Sequence, residues 1–218
     1  ECFEVTKLPA TAGGVFDINA LKNSLRPDTL LVSLMHVNNE TGIRQPIDQV
    51  TNILNEHSAY LHTDTAQGFG KDIKTLRNPR IDMISISGHK IYAPKGIGAL
   101  ITRRRGYERI PLESIVFGGG QERGLRPGTL PVALIVGLGK SAEVAERDLE
   151  KRKIACKNIK AEALSALNVL NPKITGDESL MMDHVLSLSF PGLDSEALMV
   201  GLKDLIAISN GSACTSAS

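Results

Sequence analysis

The chain has 218 residues, 42% of them hydrophobic, which is enough to bury a core in one large or two small domains. Its 25 Lys and Arg residues balance 24 Asp and Glu residues, which argues against direct binding to nucleic acid or to an acidic membrane. No apolar stretch is long enough to span a bilayer and no signal-peptide pattern is present, so we expect a cytoplasmic protein. The basic run at 103–105 is predicted to be a solvated strand end, with a docking patch for a partner as the alternative.

The first two-thirds of the chain alternates strand-like runs with helical patterns. This order predicts an α/β fold with a mostly parallel sheet and helices on both faces. Asp17 is predicted to cap the helix that follows it, and Pro46 to stand in the first turn of another, where its missing N–H leaves no bond unmade. The predicted strands cover residues 30–36, 60–63, 82–87 and 98–102.

The last third is predicted to form a smaller α+β unit. Apolar residues recur every three or four positions over 132–167, which predicts one long helix, interrupted at Asn171 and Pro172. The elements predicted after it are a strand over 185–190, a helix over 195–205 capped by Asp194, and a strand over 206–209. We therefore predict a large domain over residues 1–140 and a small domain over 141–218.

Cys2, Cys156 and Cys214 are the three cysteines of the chain. Their odd number and the lack of a Cys-x-x-Cys spacing argue against a disulfide framework and a zinc site, and the five histidines lack ligand spacing, so no metal is expected. Cys156 is predicted to be a small buried or half-buried packing residue of its helix. Because the chain starts at Glu1 and Cys214 lies four residues from its end, we expect a piece of a longer polypeptide.

Polar and titratable side chains follow three successive predicted strands. They are Asn38 and Asn39 after the first, Asp64 and Gln67 after the second, and Ser87, His89 and Lys90 after the third. Ligands of open α/β sheets bind at the carboxyl ends of strands, so these groups are expected to meet. Taken singly, a strand-end Asp is more often a cap and a strand-end Lys a solvated charge, and only the combination points to a site.

Lys90 and Asp64 are the two residues of this set that suggest a reaction. A lysine beside a buried strand can lose its charge through desolvation, and its amine can then bond to an aldehyde. Pyridoxal phosphate is a cofactor with such an aldehyde, and it also needs an acid near its pyridine nitrogen. Asp64 can fill that role. His89, beside Lys90, is expected to hold the phosphate or to move protons.

Two loops complete the candidate site. The Gly-rich segment 117–129, with Arg123, Arg126 and Thr129, can present N–H groups and guanidiniums to a phosphate, although such clusters more often mark plain turns. The segment NGSACTSAS surrounds Cys214 with small residues that cannot pack a core, which favours an exposed, reactive thiol.

Five blocks of the sequence, in this order, carry a family resemblance: MHVNNETG, HTDTAQ, SISGHKIYAPKGIGAL, GGGQERGLRPGTLP and NGSACTSAS. Through them the chain resembles, over essentially its whole length, the NifS/IscS-type cysteine desulfurases. These are pyridoxal-phosphate enzymes of fold type I, the aspartate-aminotransferase-like fold. The resemblance implies conversion of L-cysteine to L-alanine with a persulfide formed on Cys214 for a protein sulfur acceptor.

The resemblance also implies a role for each matching residue. Lys90 carries the cofactor and removes the α-proton of the substrate, and Cys214 attacks the substrate sulfur. The residues implied to bind the cofactor are Asp64 at the pyridine nitrogen, Gln67 and Asn39 near the phenolic oxygen, Ser87 and His89 at the phosphate, and Thr129 at the phosphate of a neighbouring subunit. The last of these implies a homodimer with shared sites.

The chain departs from the family at several points. Gln121 and Pro127 stand where many relatives carry His and Ser, and Asn210 where many carry Ser. The family's N-terminal part and its Arg beyond the cysteine loop have no counterpart, so weaker cofactor binding is expected of this chain alone. The alternatives are a selenocysteine lyase, an aminotransferase, or a non-catalytic fragment that binds a sulfur-transfer partner. The residues do not select among iron–sulfur cluster assembly, tRNA thiolation, cofactor synthesis and DNA phosphorothioation.

Overall fold

The structure is a computed structural model, and it describes residues 3–211. Its α-helices are α1 (Ile18–Ser24), α2 (Ile47–Ile53), α3 (Ile73–Leu76), α4 (Val132–Arg147), α5 (Leu149–Leu167) and α6 (Ser195–Leu202). Its strands are β1 (Leu31–Met35), β2 (Tyr60–Asp64), β3 (Met83–Ser87), β4 (Gly98–Thr102), β5 (Lys173–Ile174) and β6 (Leu188–Ser189).

The first four strands form one sheet in the order β1-β2-β3-β4. β1, β2 and β3 run parallel, with Met35 opposite Asp64 and Asp64 opposite Ser85, and β4 pairs antiparallel with β3. The predicted α/β class with a mostly parallel sheet is confirmed. Since β1, β2 and β3 point the same way, their carboxyl ends meet at one edge of the sheet.

The chain divides into two compact units. The sheet unit comprises residues 22–36 and 46–149, and the terminal unit comprises residues 3–21, 37–45 and 150–211. The two-stranded sheet of β5 and β6 lies in the terminal unit. The predicted boundary at residue 140 stays a prediction.

The two faces of the large sheet differ in burial. Leu61 and Thr63 of β2 point to one face and are fully buried, whereas His62 and Asp64 point to the other and are half-buried and exposed. On β1, Ser33 shares the second face with His62 and is likewise exposed. We call this second face the open face, because the part of the chain that the structure describes leaves it largely uncovered.

Most predicted elements are present. All four strands of the large sheet form, Pro46 directly precedes α2, and the Asp17 carboxylate accepts hydrogen bonds from the backbone N–H groups of Asn19 and Ala20. The Asp194 carboxylate accepts from the Ala197 N–H at the start of α6, as predicted. A short polar side chain at a helix start satisfies an N–H that has no partner within the helix. Helix starts of this kind can therefore be predicted from the sequence.

Three predictions in the last third are wrong. The long helix over 132–167 is two helices, α4 and α5, separated at Asp148. The strand predicted over 185–190 is reduced to β6, and residues 206–209 do not form a strand. A one-residue break leaves the apolar spacing nearly unchanged, and a short apolar run does not by itself supply a pairing partner.

The prediction that the basic run at 103–105 is a solvated strand end is also wrong at Arg105. Its guanidinium donates to the Asp82 carboxylate, with Nε 2.8 Å from Oδ1, and stacks 4.5 Å from the centre of the Tyr60 ring. Arg103 and Arg104 are exposed. The basic run at 103–105 therefore contains one arginine that anchors the fold, Arg105, and two that lie on the surface.

Gly42 offers a direct test of packing in the terminal unit. It has a φ of +74°, and a Cβ there would lie 2.7 Å from Val185 Cβ. We expect Gly42→Ala to lower the free energy of unfolding by about 1–3 kcal/mol, because it adds both backbone strain and overlap. Urea denaturation measures this loss. Gly201→Ala is the control, since its Cβ meets open space among the described residues and alanine favours the helix.

Candidate functional site

Asp64 ends β2 at the carboxyl edge of the sheet. Its Oδ1 accepts a hydrogen bond of 2.9 Å from the Ala66 N–H, and its side chain is exposed on the open face. The following turn is closed by Thr65, whose carbonyl accepts from the N–H groups of Gly68 and Phe69 at 3.0 and 2.7 Å. The Thr65 hydroxyl donates to the Ser85 carbonyl of β3 at 2.7 Å, which ties this turn to the next strand.

Gln67 lies within the same turn and is half-buried. Its carbonyl accepts a hydrogen bond of 3.1 Å from Lys71 Nζ. The side chain of Lys71, four residues further along the chain, therefore fixes the backbone that carries the Gln67 amide.

The end of β3 leads directly into a short 3₁₀ helix, Gly88–Ile91, that carries His89 and Lys90. The Ser87 hydroxyl and His89 Nδ1 lie 3.2 Å apart, and both Lys90 and His89 are exposed. Ser87 points to the open face, because it lies two residues beyond Ser85 and the faces of a strand alternate. The burial of Lys90 expected from sequence does not arise from the described residues.

Two glycines fix the turn that carries Lys90. A Cβ on Gly88 would lie 2.7 Å from the Ile97 carbonyl oxygen, and one on Gly98 would lie 2.6 Å from the Ile86 carbonyl oxygen. The Gly88 N–H donates to that same Ile97 oxygen at 3.0 Å. Only residues without a side chain permit this approach of backbone to backbone, so the glycines of the SISGHKIYAPKGIGAL block hold Lys90 at the sheet edge.

A hydrogen-bonded row crosses the open face behind Asp64. His62 Nδ1 lies 2.8 Å from Ser33 Oγ of β1, and His62 Nε2 lies 2.6 Å from Ser85 Oγ of β3. Burial lowers the pKa of His62 below its ordinary value of 6.5, and the nearby Asp64 carboxylate partly offsets this. His62 is therefore neutral near pH 7, with one ring nitrogen donating and the other accepting.

The remaining predicted residues lie on other segments of the chain. Thr129 is exposed in the loop before α4, in the sheet unit, and α4 packs beside the turn after Lys90, where a Cβ on Gly137 would lie 2.9 Å from Pro94. Asn39 is exposed and belongs to the terminal unit. Cys214 lies outside the described residues.

Asn38 shapes the turn that presents Asn39. Its Oδ1 accepts hydrogen bonds of 2.9 Å from the N–H groups of both Glu40 and Thr41, and its carbonyl accepts from the Gly42 N–H at 3.0 Å. Asparagine makes such turns because its short amide reaches its own backbone two residues on. Asn38 therefore determines the shape of this turn, and Asn39 is the exposed polar residue that the turn presents.

The Gly-rich segment makes its own hydrogen bonds. Gln121 Oε1 accepts from the Gly128 N–H at 3.1 Å, and Arg126 Nη1 donates to the Gly128 carbonyl at 3.4 Å. Glu122 and Arg123 adopt positive φ values of 48° and 60°. The segment is an exposed, internally bonded loop with the Arg123 guanidinium on its surface.

Sequence reasoning did not identify His36, His62 and Asp72 as parts of this site. His36 and His62 stand within strand runs, where a histidine is usually read as packing, and Asp72 reads as a helix cap. The pairing of β1 with β2 aligns Ser33 with His62 and places His36 one residue beyond Met35. Asp72 joins them through its contact with His36 Nε2.

The donor set at the sheet edge fits a phosphorylated pyridine aldehyde. It combines an exposed carboxylate, an amine, a hydroxyl paired with an imidazole, and a nearby amide: Asp64, Lys90, Ser87, His89 and Gln67. No group of three or more His, Cys, Asp or Glu side chains between residues 3 and 211 has the arrangement of a metal site. Within that range, no helix is long and apolar enough to cross a membrane.

Comparison with known proteins gives the following matches. Residues 1–218 match the family described as Aminotransferase class-V. The chain is 44% identical to the cysteine desulfurase IscS of Rickettsia bellii over 220 aligned positions, which cover 100% of this chain and 53% of that protein. Among solved structures it is similar to DndA from Streptomyces lividans, with a TM-score of 0.83, 50% identity, and coverage of 94% of this chain and 57% of that one.

A third match is a structure of SspA in complex with cysteine, with a TM-score of 0.74 and 33% identity. It covers 99% of this chain and 59% of that one. The chain thus spans about half the length of the curated relatives it matches.

Proposed function

The chain belongs to the aminotransferase class-V family, and we propose that it carries the catalytic core of a pyridoxal-phosphate-dependent cysteine desulfurase. The observation that carries the proposal is the meeting of Asp64 and the Ser87–Lys90 turn at adjacent carboxyl ends of β2 and β3. Relatives named cysteine desulfurase, at 43–44% identity, support this assignment.

We assign the cofactor contacts as follows. Lys90 would hold the cofactor through its aldehyde before the substrate binds, the Asp64 carboxylate would pair with the pyridine nitrogen, and Gln67 would donate to the phenolic oxygen. The further contacts in this proposal are Asn39 near that oxygen, Ser87 and His89 at the phosphate, and Thr129 at the phosphate of a second subunit. A homodimer with shared sites follows from the last contact and is part of the proposal.

The bound cofactor would serve as an electron sink for a carbanion at the substrate α-carbon. The negative Asp64 would keep the ring nitrogen protonated, and the Lys90 amine, free once the amine of the substrate has taken its place on the cofactor, would remove the α-proton. His89 would hold the phosphate or relay protons. The Cys214 thiolate then attacks the sulfur of L-cysteine. An S–S bond forms and the C–S bond breaks, so that L-cysteine and the Cys214 thiol yield L-alanine and a Cys214 persulfide.

The persulfide would pass to a protein sulfur acceptor. The solved structure of SspA in complex with cysteine supports L-cysteine as the substrate class, and the similarity to IscS and DndA leaves the acceptor open. A cytoplasmic location stays a prediction.

The first experiment is the visible absorption spectrum of the protein with added pyridoxal phosphate, before and after L-cysteine. It is made on this chain and on an extended chimera, in which the flanking segments of the Rickettsia bellii relative are joined to both ends. A cofactor band that changes with cysteine supports the proposal. A band in the chimera alone means that the flanking segments complete the site, and no band in either protein overturns the proposal.

Cys214→Ala separates cofactor binding from sulfur transfer. In the extended chimera we expect this variant to keep the cofactor band while alanine production falls at least about 100-fold, because the attacking thiolate is lost. Alanine release and peptide mass analysis for added sulfur measure the effect. Cys156→Ala is the matched control, since Cys156 is a half-buried free thiol of α5 and should leave turnover unchanged. A Cys214→Ala variant with normal turnover contradicts the mechanism.

A further inference from the structure

His36 lies directly beyond β1 and supports the turn that follows β2. Its backbone N–H donates to the Asp64 carbonyl at 2.7 Å, one residue past the last register pair of the two strands. The side chain is fully buried. His36 therefore holds the strand end that carries Asp64 through a hydrogen bond between the two backbones.

The His36 ring lies against Gly68. A Cβ on Gly68 would come within 1.9 Å of His36 Nδ1, a distance that no side chain can occupy. Gly68 is held in place by its N–H bond to the Thr65 carbonyl at 3.0 Å. The ring thus fills the space beneath the turn of residues 64–68, which contains both Asp64 and Gln67.

Asp72 fixes the other side of the ring. His36 Nε2 lies 3.2 Å from Asp72 Oδ2, and the Thr75 hydroxyl donates to the same oxygen at 3.4 Å. The Asp72 N–H donates to the Gly68 carbonyl at 2.8 Å. Histidine, aspartate and glycine therefore form one closed arrangement that spans the turn from its beginning to its end.

The arrangement selects one tautomer of His36. Nδ1 is buried, faces the Gly68 Cα and has no hydrogen-bond partner among the described residues. Nε2 faces a carboxylate oxygen and is the nitrogen that can donate. The proton therefore belongs on Nε2, since a proton on Nδ1 would be a buried donor without an acceptor.

We infer that His36, locked by Asp72, is a positioning residue that sets the placement of Asp64 and Gln67 for the cofactor ring. The inference rests on the proposed function. A misplacement of about 1 Å in a positioned group can lower turnover about 100-fold, so the stiffness of this turn matters to the reaction.

The test compares three variants of the extended chimera. His36→Leu keeps a buried apolar side chain and removes the Nε2 donor, and His36→Gln restores a donor near that position. His57→Leu is the matched control, because His57 lies before the amino end of β2. We expect the pyridoxal phosphate Kd of His36→Leu to rise at least about 10-fold and the pH midpoint of its cofactor band to shift, with substantial recovery in His36→Gln.

Amide hydrogen exchange on this chain without cofactor gives an independent reading. Faster exchange at Gly68 and Phe69 in His36→Leu, with unchanged exchange over 83–87, supports the inference even if neither this chain nor the extended chimera shows a cofactor band. In that case the proposed function fails and the positioning of the turn stands. Unchanged exchange and unchanged Kd in His36→Leu, or a His36→Gln variant as impaired as His36→Leu, overturns it. If His36→Leu does not fold, Asp72→Ala supplies the same comparison, because it removes the contact to His36 Nε2 from a half-buried position and adds no atoms.

Discussion

Lys90→Ala in the extended chimera is expected to lose the cofactor band and to lower alanine production from L-cysteine at least about 1,000-fold. Both the covalent bond to the cofactor and the removal of the α-proton depend on this amine in the proposed mechanism, and acid–base catalysis alone contributes about 100- to 10,000-fold. The absorption spectrum and alanine release measure the two losses separately. The free energy of unfolding should change by no more than about 0.5 kcal/mol, since Lys90 is exposed.

Lys95→Ala is the matched control for this prediction. Lys95 is an exposed lysine in the same connection between β3 and β4, five residues further along the chain. It removes the same charge from the same loop and should leave the cofactor band in place. Equal loss in both variants would show that the loop's charge, and not the Lys90 amine, retains the cofactor.

The elements that position Lys90 and Asp64 are the ones that sequence patterns describe best. β1, β3 and β4 are short, mainly apolar runs, whereas β2 combines Tyr60 and Leu61 with polar residues. Each of the four is followed by a turn that glycine or proline marks. The parallel order of β1, β2 and β3 follows from the helices between them, since parallel strands need a long crossover. The meeting of their carboxyl ends is then a geometrical consequence.

The supporting residues of the site could not be predicted, because His36 looks like a core residue of a strand and Asp72 looks like a helix cap. His36 and Asp72 are separated by 36 positions, and their pairing depends on how the turn at Gly68 folds back beneath the sheet edge. Likewise, the row from Ser33 through His62 to Ser85 exists only in one strand register. Local periodicity assigns these residues to strands and turns, and only tertiary packing brings them together.

Arg105 is another residue whose role could not be predicted from sequence patterns, and its role is to stabilise the fold. In sequence it is the last of three arginines, whereas in the structure it shares the buried Asp82 carboxylate with Arg80. Arg80 also donates to the carbonyls of Leu54, His57 and Ala59, at 2.8, 3.0 and 2.7 Å. The cluster joins the end of α2, the start of β2 and the end of β4 into one corner of the sheet unit.

Asp82→Asn is expected to lower the free energy of unfolding by about 3–5 kcal/mol at pH 7, because it removes the charge that compensates two guanidiniums. Asp82 is 4% exposed, and its Oδ2 also accepts from the Leu61 N–H at 2.7 Å. Urea denaturation measures the loss. Asp28→Asn, which removes an exposed carboxylate 3.0 Å from Arg26, is the control and should cost no more than about 1 kcal/mol.

The pH dependence of this loss follows from the direction of the Asp82 pKa. Burial alone would raise the pKa, but hydrogen bonds from Arg105 and Leu61 and the charges of both arginines hold it below the ordinary 3.8. Because the folded pKa is the lower one, the carboxylate stabilises the fold fully above pH 3.8, and this contribution is lost as the pH falls through the folded value. The difference between wild type and Asp82→Asn should therefore shrink in acid. A difference that stays constant from pH 7 to below 3.8 would place the effect in packing and not in charge.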